Sequence, residues 1–283
     1  MAGSTPDGIA PAIRAVSDTA ALASPARRRA LDVLVYVRTM AVFLVVWALA
    51  AAWKSNPALL PQPWAAIDAF IDLAMDGELF LHAAISFGRM LGSLALAALV
   101  AVPLGLALGL SRRLEAIVDP TVELLRPISG IAWIPLALFI FGIGNALPIF
   151  IMTYAAFFPI VLGTVAGVHA VDRRLVNVAR TMGVPPRTIV MRVVVPAAIP
   201  PLLVAIRLGT AAAWTAVVAA ELIGAPSGLG YAIEWYRGLL MTPKVMAYIA
   251  TIGVLGFACD ALLRALNRKL TPWRLGLDEE RSR

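Results

Sequence analysis

Hydrophobic residues in this chain gather into six long runs, at about 34–53, 84–110, 117–141, 146–168, 197–222 and 244–266. Each is close to the ~20 residues that an α-helix needs to cross the hydrocarbon core of a bilayer. The pattern predicts an all-α, polytopic membrane protein with six transmembrane helices. The polar break between the fourth and fifth runs, 169–196, has a pattern of its own. Val171–Met182 has helical composition, and Gly183 can take the positive φ that ends a helix without a Cβ penalty. Pro185 and Pro186 then set φ near the helical value and lack an N–H that a helix start cannot use, so a second helix can leave at a new angle. The expected element is a rigid elbow. Arg173, Arg174, Arg180, Arg187 and Arg192 sit on or beside it and keep it out of the hydrocarbon.

Outside the runs, residues 1–30 are rich in Ala, Ser, Pro and Arg and read as a disordered tail. A cleaved signal peptide over 39–52 is disfavoured, because about 38 residues would precede its apolar stretch. The membrane domain spans 31–275, with the elbow loop at 171–196, and 276–283 form a second tail. After the first run, SNPALLPQPW is a Pro-rich linker. It leads into WAAIDAFIDLAMDG, where Ile67, Phe70, Ile71 and Ala74 recur at helical spacing opposite Asp68 and Asp72. That segment reads as an amphipathic helix on the outer membrane face. Gly88 and Gly92, Gly105 and Gly109, and Gly163 and Gly167 stand at the four-residue spacing that lets membrane helices approach closely. Pro103, Pro127, Pro135, Pro148, Pro159, Pro200 and Pro201 are expected to interrupt or kink helices, as in a moving pore.

Composition narrows the class. A chain with 60% hydrophobic residues, 14% charged residues and mean hydropathy +0.85 is too apolar for a soluble domain. The net charge of +7 does not signal nucleic acid, because the basic residues flank apolar runs. With the termini, the 111–116 turn and the elbow on one side, that side carries 18 of the 24 Lys and Arg residues, and the other carries Lys54, Arg237 and Lys244. The positive-inside rule then puts both termini and the elbow in the cytoplasm. The single cysteine, Cys259, excludes an internal disulfide.

Arg89, Arg126 and Arg207 lie inside the runs, where a charge costs about 2.5–3.5 kcal/mol on insertion scales. Arg126 and Arg207 admit two readings. They could hold a small oxyanion through paired hydrogen bonds. Alternatively, Arg126 pairs with Glu123 one turn earlier, and Arg207 meets a carboxylate such as Glu221 of a neighbouring subunit or a freed carbonyl near Pro200. Glu221 near the outer end of the fifth run, with Trp133 and Trp214, are candidates for a gate or for packing. Catalysis has no constellation: His82 and His169 fall on opposite predicted sides, and no metal-ligand spacing occurs. Nor is there a phosphate-binding P-loop, since Lys54, Lys244 and Lys269 follow Trp53, Pro243 and Arg268.

Asn177–Pro196 resembles the cytoplasmic loop of inner-membrane permeases of binding-protein-dependent ABC importers. Gly183, Pro196 and the spacing between them match; Asn177, Val178 and Ala179 stand where Glu-Ala-Ala is usual, and Val193 and Val195 replace Ile and Leu. GELFLHAAISFGRML, LRPISGIAWIPLALFIFGIG and PSGLGYAIEW are similar to segments of the permeases for nitrate, sulfonate, taurine and bicarbonate, so the resemblance covers about 60–275. It implies a type I ABC importer permease fold in a bacterial inner membrane, with the elbow as a coupling helix between spans 4 and 5. That helix would dock on a cytoplasmic ABC ATPase through Asn177, Ala179, Arg180, Thr181, Met182, Gly183, Val184 and Pro185. It also implies a homodimer of this chain, a pair of ATPase subunits that carry ATP and Mg, and an extracytoplasmic binding protein delivering a small anionic solute. Contacts to the binding protein would come from 54–80 and 223–243, including Glu234, Trp235, Tyr236 and Arg237. An ion-coupled secondary transporter is the alternative; it calls for inverted repeats and intramembrane acids, and neither is evident.

Overall fold

The structure, a computed structural model, describes residues 25–54, 56 and 59–270, with side chains from Leu34 onward apart from Tyr36. The tail expected over 276–283 lies outside the described residues, as does the tail expected over 1–30 up to residue 24. From Pro25 the backbone is already helical, because Pro suits a first helical position and PARRRA is rich in strong helix formers.

The chain divides into two compact units at Trp64 and Ala65. The first holds α1 (Pro25–Lys54) and the linker behind it. Trp47 donates its indole N–H to the Pro61 carbonyl at 3.0 Å and so ties the linker back to the helix. Leu34, Val37, Phe43, Val46 and Leu49 are exposed along α1, as lipid-facing positions should be.

The second unit takes up α2 (Pro63–Met75), then α3 (Glu78–Leu110), α4 (Arg112–Leu125), a 3-10 turn at Gly130–Trp133, α5 (Ile134–Phe141) and α6 (Ala146–His169). The elbow follows as α7 (Arg173–Thr181) and the single turn α8 (Pro186–Ile189), then α9 (Val195–Gly224), α10 (Leu229–Gly238) and α11 (Thr242–Leu270). On α2 the apolar stripe of Ile67, Phe70 and Ile71 is the exposed face, while Ala69 and Leu73 pack inward. The core is a sandwich in which α6 lies between α3 and α9. Met90, Ala97, Ile151, Ala156, Ala213 and Val217 fill it.

Small residues make that approach possible. A Cβ on Gly163 would come within 2.3 Å of the Ala205 Cβ, and one on Gly105 within 2.8 Å of the Val161 carbonyl oxygen. Gly109 and Gly167 are similarly crowded, so two of the three glycine pairs do seat helices. Gly88 and Gly92 do not, since nothing lies within 4 Å of either position.

Two runs differ in shape from the expectation. Among the described residues five helices are long and apolar enough to span a membrane, and the third run is a bent pair rather than one continuous helix. It is α4 and the Gly130–Phe141 segment, bent by 79°. Pro127 removes a helical donor, Ser129 is extended, with φ −61° and ψ 138°, and its hydroxyl accepts from the Ile131 N–H to start a new turn. The fifth run, in turn, begins earlier than residue 197. The helical path from Pro186 to Gly224 covers 39 residues and passes through a π turn at Val190–Val194. There the Val195 N–H reaches back to the Val190 carbonyl, just ahead of Pro196, which has no N–H to continue the ladder. Pro103, Pro159, Pro200 and Pro201 are carried inside continuous helices, whereas Pro135 sits at the start of α5, where no helical donor is lost.

Candidate functional site: an elbow, a broken span and a buried clamp

The elbow is built by caps. Asp172 accepts the Arg174 N–H at 2.8 Å, which starts α7. At its other end Gly183 takes φ +74°. The Gly183 N–H donates to the Arg180 carbonyl at 3.0 Å, and the Val184 N–H to the Ala179 carbonyl at 3.1 Å, the paired bonds of a Schellman stop. Pro185 is extended, with φ −58° and ψ 143°, and the carbonyl of Pro185 accepts from Thr188 and Ile189 to open the next helix. Thr181 donates its hydroxyl to the Val178 carbonyl at 2.8 Å.

Val176 packs against the small cluster of Val168, Val194 and Ala198, and so seats α7 against the end of α6 and the start of the helical path into α9. The opposite side is uncovered: Leu175, Val178 and Met182 are 55%, 57% and 76% exposed. On the other side of the helix a cleft of about 1050 Å³ is lined by Arg112, Glu115, His169, Arg173, Asn177 and Arg180. His169 lies 3.5 Å from Glu115, whereas Arg112, Arg173 and Arg180 have no carboxylate partner among the described residues.

At the far end of the bundle, charge is handled in the opposite way. Arg89 of α3 and Glu221 of α9, both buried, form an ion pair at 2.7 Å. Every face of that pair is satisfied. Arg89 also donates to the Asn145 side chain at 2.6 and 3.0 Å, to the Ser227 carbonyl at 2.6 Å and to the Ser227 hydroxyl at 2.7 Å. Glu221 accepts from the Ser86 hydroxyl at 2.7 Å and the Gly230 N–H at 3.0 Å. Ser86 in turn accepts the Leu229 N–H at 2.8 Å. The clamp thus joins α3, the start of α6, the end of α9 and the turn into α10. Gly228 has φ +108°, and a Cβ there would lie 2.4 Å from both Glu221 oxygens. Its N–H donates to His82 Nδ1 at 3.0 Å, which fixes that nitrogen as the unprotonated one. Glu78 completes the rim by accepting from the Tyr236 and Tyr248 hydroxyls at 2.8 and 3.0 Å. Burial first, and then the Glu78 carboxylate, push the Tyr236 hydroxyl up to about 12.

The residues singled out for the route therefore separate. Glu221 is fully buried and belongs to Arg89; it is not the partner of Arg207. Arg207 pairs within the chain with Asp260, at 2.5 and 3.1 Å, and Arg264 shares that carboxylate. Trp214 donates to the Ile252 carbonyl at 3.2 Å, with its ring over Gly256, and so packs α9 against α11. Arg126 is exposed, and the expected pairing with Glu123 does not form, because an exposed pair one turn apart gains too little to hold two long side chains together. Trp133 lies in the broken span with its ring 5.8 Å from that of Tyr154. Arg89, Asn145, Ser227 and Asp260 were not singled out. The available signal was the presence of Arg89 and Glu221, and of Arg207 and Asp260, as opposite charges inside apolar runs.

Several helices long and apolar enough to cross a membrane, joined by a capped elbow, are the build of a membrane transport permease. The chain belongs to the binding-protein-dependent transport system inner membrane component family, whose profile matches residues 101–272. It is 36% identical to the taurine transport system permease of Escherichia coli, over 86% of this chain and 90% of that protein. It is 35% identical to a putative aliphatic sulfonates transport permease of Bacillus subtilis, over 83% and 85%. Against the nitrate import permease of Synechococcus elongatus the identity is 28%, over 84% and 90%. A chain of the inward-facing MetNI methionine ABC transporter shares the fold, with TM-score 0.52 and 22% identity over 64% of this chain and 92% of that one. The protein is thus a multi-pass permease subunit of an ABC importer. Its family works with a separate ATPase and a binding protein.

Proposed function

We propose that two copies of this chain form the translocation route of an ATP-driven importer for a small anion of the sulfonate, taurine or nitrate kind. In this reading six spans cross a bacterial inner membrane, the bent α4–α5 pair being the third, with both termini and the elbow in the cytoplasm. A pair of ATPase subunits supplies ATP and Mg, and α7 couples to them through Asn177, Ala179, Arg180, Thr181, Met182, Gly183, Val184 and Pro185. An extracytoplasmic binding protein delivers the solute to the opposite side.

One observation carries the reading. The elbow is capped at both turns and leaves Leu175, Val178 and Met182 exposed on one face of α7, while Arg173 and Arg180, which have no carboxylate partner among the described residues, stand on the opposite face. An exposed apolar stripe on a strongly amphipathic helix is the make-up of a helix that docks in a groove. ATP closure shifts the bundle only through its differential affinity for the two states, so the handle must be stiff, and the Gly183 stop makes it so.

The test is reconstitution with the ATPase and binding protein in proteoliposomes. ATP-dependent uptake is expected, and Gly183→Val is expected to leave membrane insertion intact while breaking the link between ATP hydrolysis and uptake. Normal uptake by that variant would remove the elbow from the coupling role. Uptake driven by an ion gradient without the ATPase would establish the secondary-transporter alternative.

A further inference from the structure

We infer that the break in the third apolar run is an anion site on the translocation route and that Arg126 holds the anionic oxygens; this rests on the importer reading above. Of Arg89, Arg126 and Arg207, the arginines of the second, third and fifth apolar runs, Arg89 is held by Glu221 and Arg207 by Asp260. The Arg126 side chain is exposed and makes no hydrogen bond or ion pair among the described residues, although Glu123 is one turn away.

Its depth can be read from α6. Arg126 opens onto a cleft of about 450 Å³ with Ser129, Gly130, Tyr154, Phe158 and Leu162 on its walls. Residues 154–162 are the middle of the 24-residue α6, about 10 Å or more from either end at the rise of an α-helix. A cation halfway along a spanning helix lies far from both headgroup layers, and such a charge is kept for a ligand or a partner charge.

The chemistry of the cleft is one-sided. No carboxylate lines it. Arg126 offers a fork of donors, and Ser129 accepts from the Ile131 N–H and still has its own proton to give. In the same break the Trp133 indole N–H is buried with no acceptor among the described residues. Tyr154, whose ring lies against Trp133, has turned its own hydroxyl to the Leu125 carbonyl at 2.9 Å. Donors without acceptors, beside a half-span that has just restarted, fit a small oxyanion with two or three equivalent oxygens, which a guanidinium can grip through two parallel bonds. A lipid phosphate shares this chemistry, and the experiment separates the two sources.

Wild type, Arg126→Gln, Arg126→Lys and Trp133→Phe are reconstituted with the ATPase and binding protein, and KM and kcat are measured for taurine and for nitrate. Loss of the fork should raise KM for a transported anion by about 10-fold or more. Lysine should restore most of that loss, and Trp133→Phe, which keeps the ring and deletes the N–H, should raise KM by about 3-fold. An unchanged KM in Arg126→Gln overturns the site. An effect present in phosphatidylglycerol vesicles and absent in pure phosphatidylcholine also overturns it, by assigning Arg126 to a lipid headgroup. If Arg126→Gln fails to assemble, the decision falls to Trp133→Phe, whose normal KM would overturn the site. Wild type that takes up neither anion with ATP overturns the importer reading itself and the site with it, before any variant is compared.

Discussion

The elbow and the buried clamp both place arginine at an end of the bundle, and they use it in opposite ways. In the clamp Arg89 meets a carboxylate, an amide, a hydroxyl and a carbonyl. In the elbow Arg173 and Arg180 meet no carboxylate among the described residues, and the helix that carries them shows its apolar residues outward. A charge buried within one chain must be satisfied there, because an unpaired one is too costly in a low-dielectric interior. A charge left open at a rigid surface costs little in water and remains available for a partner. The comparison separates residues that hold this fold together from residues that face another molecule.

The sharpest break of that comparison is at the clamp. Arg89→Leu leaves Glu221 buried without its cation and should cost about 3–5 kcal/mol, read as loss of folded protein in a thermal scan in detergent. The double variant Arg89→Leu, Glu221→Leu should recover much of the loss. Next comes Gly228→Ala, where the new Cβ would sit 2.4 Å from the Glu221 oxygens at a φ of +108°; about 2 kcal/mol or more is expected, from strain and a displaced carboxylate. Arg180→Leu is the contrasting case. Its stability should move within about 0.5 kcal/mol, while recovery of the ATPase in a mild-detergent pull-down falls. A large thermal loss in Arg180→Leu would erase the distinction between the two ends.

Smaller effects sharpen it. α10 ends in the same pair of backbone bonds as α7, Leu240 to Arg237 and Met241 to Tyr236, but with Leu240 at φ 59° where α7 has glycine. Leu240→Gly should therefore stabilise by about 0.5–1 kcal/mol, measured by the same scan. The smallest effect is at Tyr236. Its hydroxyl is raised from 10.0 to about 12 in the folded protein, so its contribution is fully present below pH 10 and is lost as pH rises from there through 12. Tyr236→Phe should remove that part of the alkaline decline; an identical decline in the variant would assign it to other groups.

Much of the architecture was legible because it depends on local rules. Run length marked five of the helices, and the Gly183 stop and the double-proline start followed from allowed φ values alone. The broken third run was less legible: Asp119, Glu123 and Arg126 make its first half more polar, but the interruptions at Pro127 and the Ser129–Gly130 pair are signals shared with Pro103 and Pro159, which sit inside unbroken helices. Charge pairing was the least legible. Arg89 and Glu221 are 132 residues apart, and no periodicity joins them. Arg207 could have met several acids, and the pairing with Asp260 rather than Glu221 is decided by how α9 packs against α11.

One length in the molecule now carries more weight than its residues suggest. From Pro186 to Gly224 the chain is helical for 39 residues without a loop, some 58 Å at the usual rise, so the turn beside Gly183 and the carboxylate of Glu221 are fixed on one continuous screw. A single residue added between Ile189 and Glu221 would rotate that carboxylate by about 100°, away from Arg89. Only the π turn offers slack to absorb it. The number of residues in this segment is therefore as constrained as the identity of any side chain in the clamp, and drift in this family should spare its length even where it changes its letters.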